Sequence, residues 1–411
     1  MDRRIVITGM GVISPVGNNP GEFFDNLLAG RSGIKHLEFD GIEKLSIRIG
    51  APVEDFNPEV YFSKIQLTGI ERFSQFALVA AEQAIQDAKL TLSEEEYIRA
   101  GISMGSCQGG TSTLQDGYRE LFQNEEPRIK PFTVLLSMNN AAASHISIKY
   151  HLQGPNITYA TACSSSAIAI GEAYRKIKHG YADVMLAGGS EAMLTLGAMK
   201  AWEALRTLAQ EDPRDAGASC KPFAKNRSGL VLGEGAAVLV LEEAERAVKR
   251  GAKIYAELVG YDCSSDSKHI TKPDAAGQTR TILNALRDAQ MQPHDIQYIN
   301  AHGTATLAGD IEETKAIKQV FGKHAADIPI SSTKSMHGHL MGATGAVEFM
   351  AAVLAMQHNA IPPTINLHDP DPECDLDYVP NHGRKDVKLD AVMSNSFAFG
   401  GSNAVLIAKR F

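Results

Sequence analysis

The sequence predicts an α/β protein, with helices layered on mostly parallel sheet, from two observations. Short apolar runs bounded by glycine alternate with helical stretches, and the first part of the chain is echoed in the last. The runs RIVITG, AGISMGS, DVMLAGG, AAVLVLE, IQYINAHG, AVMSNS and AVLIA read as buried strands. Among the helical stretches, ERFSQFALVAAEQAIQDAKL places Phe73, Phe76, Ala77, Ala80, Ala81, Ala84 and Ala88 on one stripe. Such alternation buries a sheet between helical layers.

The echo concerns order as well as composition. AIQDA precedes AGISMGS, and ALRDA precedes IQYINAHGT; DVMLAGGSE returns as AVMSNSFAFGG, and GEGAAVLVLE as GSNAVLIA. Alanine-rich helices and glycine-flanked strands resemble one another by chance, but three echoes in one order favour a duplicated α/β unit. The halves are expected at 1–250 and 251–411. The histidine pair at 337–339 would then correspond to Cys163, each standing before a helix of small residues.

Bulk properties remove several classes. A net charge of −8 argues against a general nucleic-acid binder. No apolar run is long enough to span a membrane. The opening MDRRIVITGMGVISPVG lacks a small-residue cleavage site and reads better as a strand than as a signal peptide. Five cysteines lie far apart without a C-x-x-C pair, which points to free thiols and a cytoplasmic setting.

The most informative stretch is ATACSSSAIAIGEAYRKIKHG, 160–180. Small residues on every face predict a helix packed all round. Cys163 sits at its head, where unsatisfied N–H groups favour a thiolate. A buried structural thiol remains the alternative. Two histidine stretches strengthen the nucleophile. YINAHGTATLAGD puts His302 at a strand end in a glycine-rich turn, and SSTKSMHGHLMGATGAVEF puts Lys334, His337 and His339 before a second helix. Zinc held by His302, His337 and His339 competes, although no carboxylate or second pair has the usual ligand spacing. SNSFAFGGSN suggests either a plain hairpin or a turn whose N–H groups form an oxyanion hole. GMGVISPVG matches a dinucleotide fingerprint only in part, and neither a Walker A sequence nor a G-x-S-x-G elbow occurs.

Together TACSSS, NAHGTAT, KSMHGHLMGATG and NSFAFGGSN resemble the condensing enzymes of the thiolase superfamily. More narrowly, the chain resembles β-ketoacyl-acyl-carrier-protein synthases of the elongating type II class, along essentially its whole length. The resemblance implies the five-layered α-β-α-β-α thiolase fold built from two similar halves. It implies an acyl-accepting Cys163, with His302 and His339 assisting malonyl decarboxylation. Lys334 and Glu348 would support the histidines. Phe399 would be a gate, with Gly400 and Gly401 in its turn, and its N–H would join that of Cys163 in the oxyanion hole. Thr304 and Thr306 would hold the phosphopantetheine arm. No metal or organic cofactor is implied for the reaction; some relatives carry a structural monovalent cation near residues matching Asn300, Glu348 and Asn395. The implied partners are an acyl carrier protein and a second similar subunit, either another copy or a chain-length factor. A noncatalytic chain-length subunit is the alternative function; such subunits lose the nucleophile. Degradative thiolases use a second cysteine in the C-terminal glycine turn, which SFAFGGSN lacks.

Several positions depart from the resemblance. His337 stands where a hydroxyl residue is usual and is expected to be a bystander. Ala398 replaces a glycine, which should stiffen the gate. Gln108 and Trp202 are expected in the acyl pocket, where an aliphatic residue and a smaller aromatic are usual. KNRSG replaces an acidic D-K-x-R-D-G. At the usual carrier-docking helix SKIQLTGIER keeps only Lys64 and Arg72, with Arg128, Lys130 and Arg206 as further docking candidates.

Overall fold

A computed structural model describes residues 3–125 and 127–411. Its main sheet has ten strands. The first five are β1 (Ile5–Ile13), β2 (Ala100–Gly105), β3 (Asn156–Tyr159), β4 (Val184–Glu191) and β5 (Gly235–Glu243). The second five are β6 (Ala256–Ser265), β7 (Tyr298–Asn300), β8 (Ile330–Ser331), β9 (Ala391–Phe397) and β10 (Ser402–Lys409). Outward from the centre the order is β1-β5-β4-β2-β3 on one side and β6-β10-β9-β7-β8 on the other. Each strand of the first set has its counterpart five strands later, so all three sequence echoes fall on corresponding elements. The two sets meet antiparallel, with Ile5 opposite Leu258 and Ile7 opposite Ala256.

The sheet is mixed rather than mostly parallel. Parallel pairing is confined to β2 with its neighbours and β7 with its neighbours. The central strands run antiparallel because β9 returns directly into β10 through the turn 398–401, and such short returns join only antiparallel strands.

Six helices complete the layers: α1 (Arg72–Ala88), α2 (Ala141–Tyr150), α3 (Ser165–Lys178), α4 (Ala275–Asp288), α5 (Leu307–Phe321) and α6 (Thr344–His358). The first two cover the outer face of one sheet half, against β1, β2 and β5. On the other half, α4 packs against β6 and β10, with α5 beside it. Between the halves lie α3 and α6, which touch each other and strands of both sets. The result is the expected α-β-α-β-α sequence of layers. A helix enclosed on both sides cannot afford bulk. A Cβ at Gly171 in α3 would stand 2.2 Å from the Tyr261 ring, and one at Gly345 in α6 would stand 2.8 Å from Cβ of Ala167. Every residue of α6 from Thr344 to Met356 is buried.

Both central helices begin alike. A 3-10 turn at Ala162–Ser164 precedes α3, and one at Met341–Ala343 precedes α6. Each turn opens with a non-glycine residue at positive φ, 52° at Ala162 and 47° at Met341. Cys163 therefore corresponds to Gly342, not to the histidine pair at 337–339.

Candidate active site

Cys163 lies in the turn ahead of α3, at a kink that is held from several directions. The hydroxyl of Ser165 donates to the carbonyl of Ala162 at 2.6 Å and accepts from the N–H of Thr161 at 2.9 Å. The thiol of Cys107 donates to the same carbonyl at 2.9 Å. These bonds stabilise a left-handed alanine that costs about 1–2 kcal/mol, and the kink presents the sulfur to a cleft.

That cleft, about 240 Å³, is lined by Cys163, His302, His339, Phe399, Thr304 and Thr306 among others. Sγ of Cys163 and a ring nitrogen from each of His302 and His339 lie within 4.8 Å of one another. The imidazoles stand edge to face, with centroids 5.6 Å apart at 85°. Three soft or borderline ligands so close could also hold a metal ion, but their hydrogen bonds favour another use. The N–H of Met341 donates to Nδ1 of His339 at 3.1 Å, and the hydroxyl of Thr344 reaches the same atom at 2.9 Å. Nδ1 therefore accepts, and the proton sits on Nε2, which has no partner among the described residues. On His302, Nδ1 faces the ammonium of Lys334 at 3.4 Å, which places its proton on Nε2 as well. Burial, together with the charge of Lys334, holds both imidazoles far below the usual histidine range. The cleft thus presents two neutral Nε2–H donors beside one thiol.

The thiol is not activated in the resting state. Burial pushes it up to about 11, although Lys334 and the N–H groups of Phe399 and Cys163 pull the other way. The helix end lowers the thiol and desolvation raises it, and desolvation is the larger effect. The N–H groups of Cys163 and Phe399 nevertheless both act on the sulfur.

Lys334 itself is buried. It donates to Oε1 of Glu348 at 2.6 Å and to the carbonyl of His302. Burial raises the Glu348 carboxyl to about 7 against the pull of Lys334. Oε2 of Glu348, Oδ1 of Asn300, Oδ1 of Asn395 and Oγ of Ser396 are all buried without a hydrogen-bond partner among the described residues. Four orphaned oxygens, one of them on a carboxylate, suit a hard monovalent cation.

The turn 398–401 distributes its residues by φ. Gly400 and Gly401 sit at +82° and +72°, while Ala398 is extended at −101°, a conformation that alanine adopts without strain. The substitution of glycine by Ala398 therefore leaves this state of the turn unstrained. Trp202, in the helix Leu196–Ala204, stacks on Phe399 with centroids 6.0 Å apart and planes at 19°. Gln108 does not line the cleft. Its side chain is exposed, and only its N–H points inward, to Glu191. Thr304 and Thr306 do line it and share a hydrogen bond of 2.9 Å. Thr306 also caps α5 by accepting from the N–H of Gly309. The docking candidates divide. Arg206 lies between Leu205 and Thr207 at the cleft, whereas Arg128 and Lys130 line a separate cavity beside Leu67, at the end of the helix that Lys64 begins.

Sequence reading missed the frame behind His302. The N–H groups of His302 and Gly303 donate to the carboxylate of Glu313 at 2.8 and 2.7 Å, and those of Ala305 and Phe223 donate to Asp310. Both acids are buried on α5. The signal was available: Asp310, Glu313 and Ile317 fall at i, i+3 and i+7, so two carboxylates share an apolar stripe. Arg227 is the arginine that KNRSG shares with D-K-x-R-D-G; the loss of the two acids has no structural explanation. Fully buried, Arg227 binds Asp371 and the carbonyls of Thr306 and Leu307, fixing the threonine turn from behind.

A layered duplicated fold with a cysteine between two histidines is the architecture of condensing enzymes. Residues 2–247 match the family "Beta-ketoacyl synthase, N-terminal domain" and residues 255–368 match "Beta-ketoacyl synthase, C-terminal domain". The chain belongs to the β-ketoacyl synthase family, whose members are acyltransferases. It is 45% identical to 3-oxoacyl-[acyl-carrier-protein] synthase 2 of Coxiella burnetii over 410 residues, covering 99% of each chain. Among solved structures it superposes on the ishigamide ketosynthase/chain length factor with a TM-score of 0.92 at 36% identity. It also superposes on a type II polyketide ketosynthase in complex with its acyl-carrier protein, with a TM-score of 0.91 at 34% identity. Both superpositions cover the whole of each chain.

Proposed function

We propose that this chain extends an acyl group held on Cys163 by decarboxylative condensation with malonyl-acyl carrier protein, in fatty acid or type II polyketide elongation. The observation that carries this reading is the clustering of Sγ and two histidine nitrogens within 4.8 Å, with both Nδ1 atoms engaged. The sulfur of Cys163 attacks an acyl thioester, and the N–H groups of Cys163 and Phe399 hold the tetrahedral oxyanion. The departing pantetheine sulfur takes the proton that Cys163 loses. A malonyl thioester then enters along Thr304 and Thr306. Its carbonyl oxygen accepts from Nε2–H of His302 and His339. As the carboxylate–carbon bond breaks, carbon dioxide leaves and the electron pair becomes an enolate held by these donors. The enolate carbon attacks the acyl carbonyl, and Cys163 is expelled and reprotonated. Two neutral donors serve this step because their hydrogen bonds strengthen as charge develops on the oxygen on the way to the enolate.

The buried oxygens of Asn300, Glu348, Asn395 and Ser396 that lack a partner among the described residues are candidate ligands for a monovalent cation, which would neutralise charge at Glu348. A second, similar subunit is supported by a partly exposed edge strand, β3, and by exposed apolar side chains, including Phe122, Val134 and Ile148. Whether that subunit is a copy or a chain-length factor, the intact Cys163 and its histidines favour the catalytic role for this chain. All five cysteines are free, in keeping with the cytoplasm, and among the described residues no helix is long and apolar enough to cross a membrane. The direct test is intact-mass spectrometry after mixing the protein with a panel of acyl-carrier thioesters. Acyl mass should appear on the wild type and not on Cys163→Ala; acylation of both would refute the assignment.

A further inference from the structure

His337 is buried, and it belongs to none of the groups used above. Its Nδ1 lies 2.7 Å from the carbonyl of Gly338, which can only accept, so Nδ1 carries the proton. Its Nε2, 2.9 Å from Oγ1 of Thr333, must then accept from the threonine hydroxyl. With that hydrogen committed, Oγ1 of Thr333 accepts from Nδ2 of Asn300 at 3.4 Å. A one-way chain of three hydrogen bonds therefore runs from Asn300 through Thr333 and His337 to Gly338. Its stations are telling. Asn300 precedes His302 by two residues, Thr333 precedes Lys334 by one, and Gly338 precedes His339 by one.

We propose that His337 is a positioning residue that ties together the backbone segments carrying His302, Lys334 and His339. The inference rests on the condensing reading above. The ring bonds to residues at both ends of the single helical turn Lys334–His337, Thr333 before it and Gly338 after it, one through each nitrogen. Both nitrogens are occupied, so the ring does not handle protons, and burial beside Lys334 keeps it neutral, with its pKa down at about 3. Its contribution is to hold two Nε2–H donors in register with one enolate oxygen, where small displacements are costly.

Three variants separate the two bonds. In His337→Asn an amide donor remains near Gly338, in His337→Gln an amide remains near Thr333, and in His337→Leu neither bond survives. Each is assayed twice: for carbon dioxide release from malonyl-acyl carrier protein, and for acyl loading of Cys163 by intact mass. The ratio of decarboxylation to loading should fall at least ten-fold in His337→Leu, with Asn and Gln intermediate. Should His337→Leu not fold, the two amide variants carry the same test. An unchanged ratio in all three would overturn the inference, as would a parallel fall in both activities. His339→Ala run alongside keeps the failures apart: if it leaves decarboxylation intact, the condensing reading itself is at fault.

Discussion

Nζ of Lys334 stands 3.4 Å from Nδ1 of His302 and 2.6 Å from the carboxylate of Glu348. One ammonium thus fixes the histidine tautomer, depresses its basicity and neutralises a buried acid. Replacing it by Lys334→Met with Glu348→Gln keeps the pocket neutral and removes all three effects. Decarboxylation should fall by about 10²-fold, the scale of a misplaced acid–base group. The sign of the pH effect is fixed as well. Without the nearby charge, the His302 pKa climbs back toward its ordinary value near ~6.5, so the acid limb of the pH–rate profile moves to higher pH. A limb that stays put would show that Lys334 does not act on His302.

Gly400 and Gly401 differ in a way that mutation can read. Both have positive φ, but a Cβ at Gly400 meets nothing within 4 Å, whereas one at Gly401 stands 2.8 Å from Cβ of Asp266. Gly400→Ala should therefore slow acyl loading by the conformational penalty alone, about 1–2 kcal/mol at most. Gly401→Ala, which must also displace Asp266, should slow it more. Equal rates in stopped loading reactions would mean that the turn relaxes freely.

Arg227 holds the turn of Thr304 and Thr306 through main-chain carbonyls. Arg227→Met leaves Asp371 and the buried Asp310 without their cation, a loss of about 3–5 kcal/mol for a broken buried pair. Denaturant unfolding should show that loss, and the surviving enzyme should have a raised KM for carrier thioesters. Unchanged stability would remove Arg227 from the frame of the site.

The orphaned oxygens at Asn300, Glu348, Asn395 and Ser396 make a prediction about salt. Potassium or sodium chloride should raise the melting temperature above that in tetramethylammonium chloride at equal ionic strength, because a bound ion stabilises the native state. Asn395→Leu should abolish the difference. Identical melting in all three salts would leave those oxygens unexplained.

Much of this site is legible in the sequence. The strand echoes marked the duplication because buried strands keep their apolar runs, and Cys163, His302 and His339 stood out at strand-to-helix turns rich in small residues. What sequence did not give was the sign of competing effects. The helix end at Cys163 promised a thiolate, but desolvation outweighs it and the thiol rests at about 11. Nor does a one-dimensional pattern say which side a residue faces. Gln108 reads as a pocket wall in the sequence; in the single chain it is exposed and lies outside the cleft of Cys163, with its N–H on Glu191. Arg227 acts on backbone carbonyls some eighty residues along the chain, where no local spacing reports the contact, whereas Glu313 could have been found from its place on the apolar stripe of α5.

The central claim is that one cleft divides two reactions between a thiol and a histidine pair, and the most direct measurement runs both in matched variants. Carbon dioxide release from malonyl-acyl carrier protein and acyl mass on the protein would be recorded for Cys163→Ala and His339→Ala. The account predicts that Cys163→Ala loses acyl mass but still releases carbon dioxide, while His339→Ala gains acyl mass but releases little. If both variants lose both activities to the same extent, the division of labour drawn from this geometry is wrong.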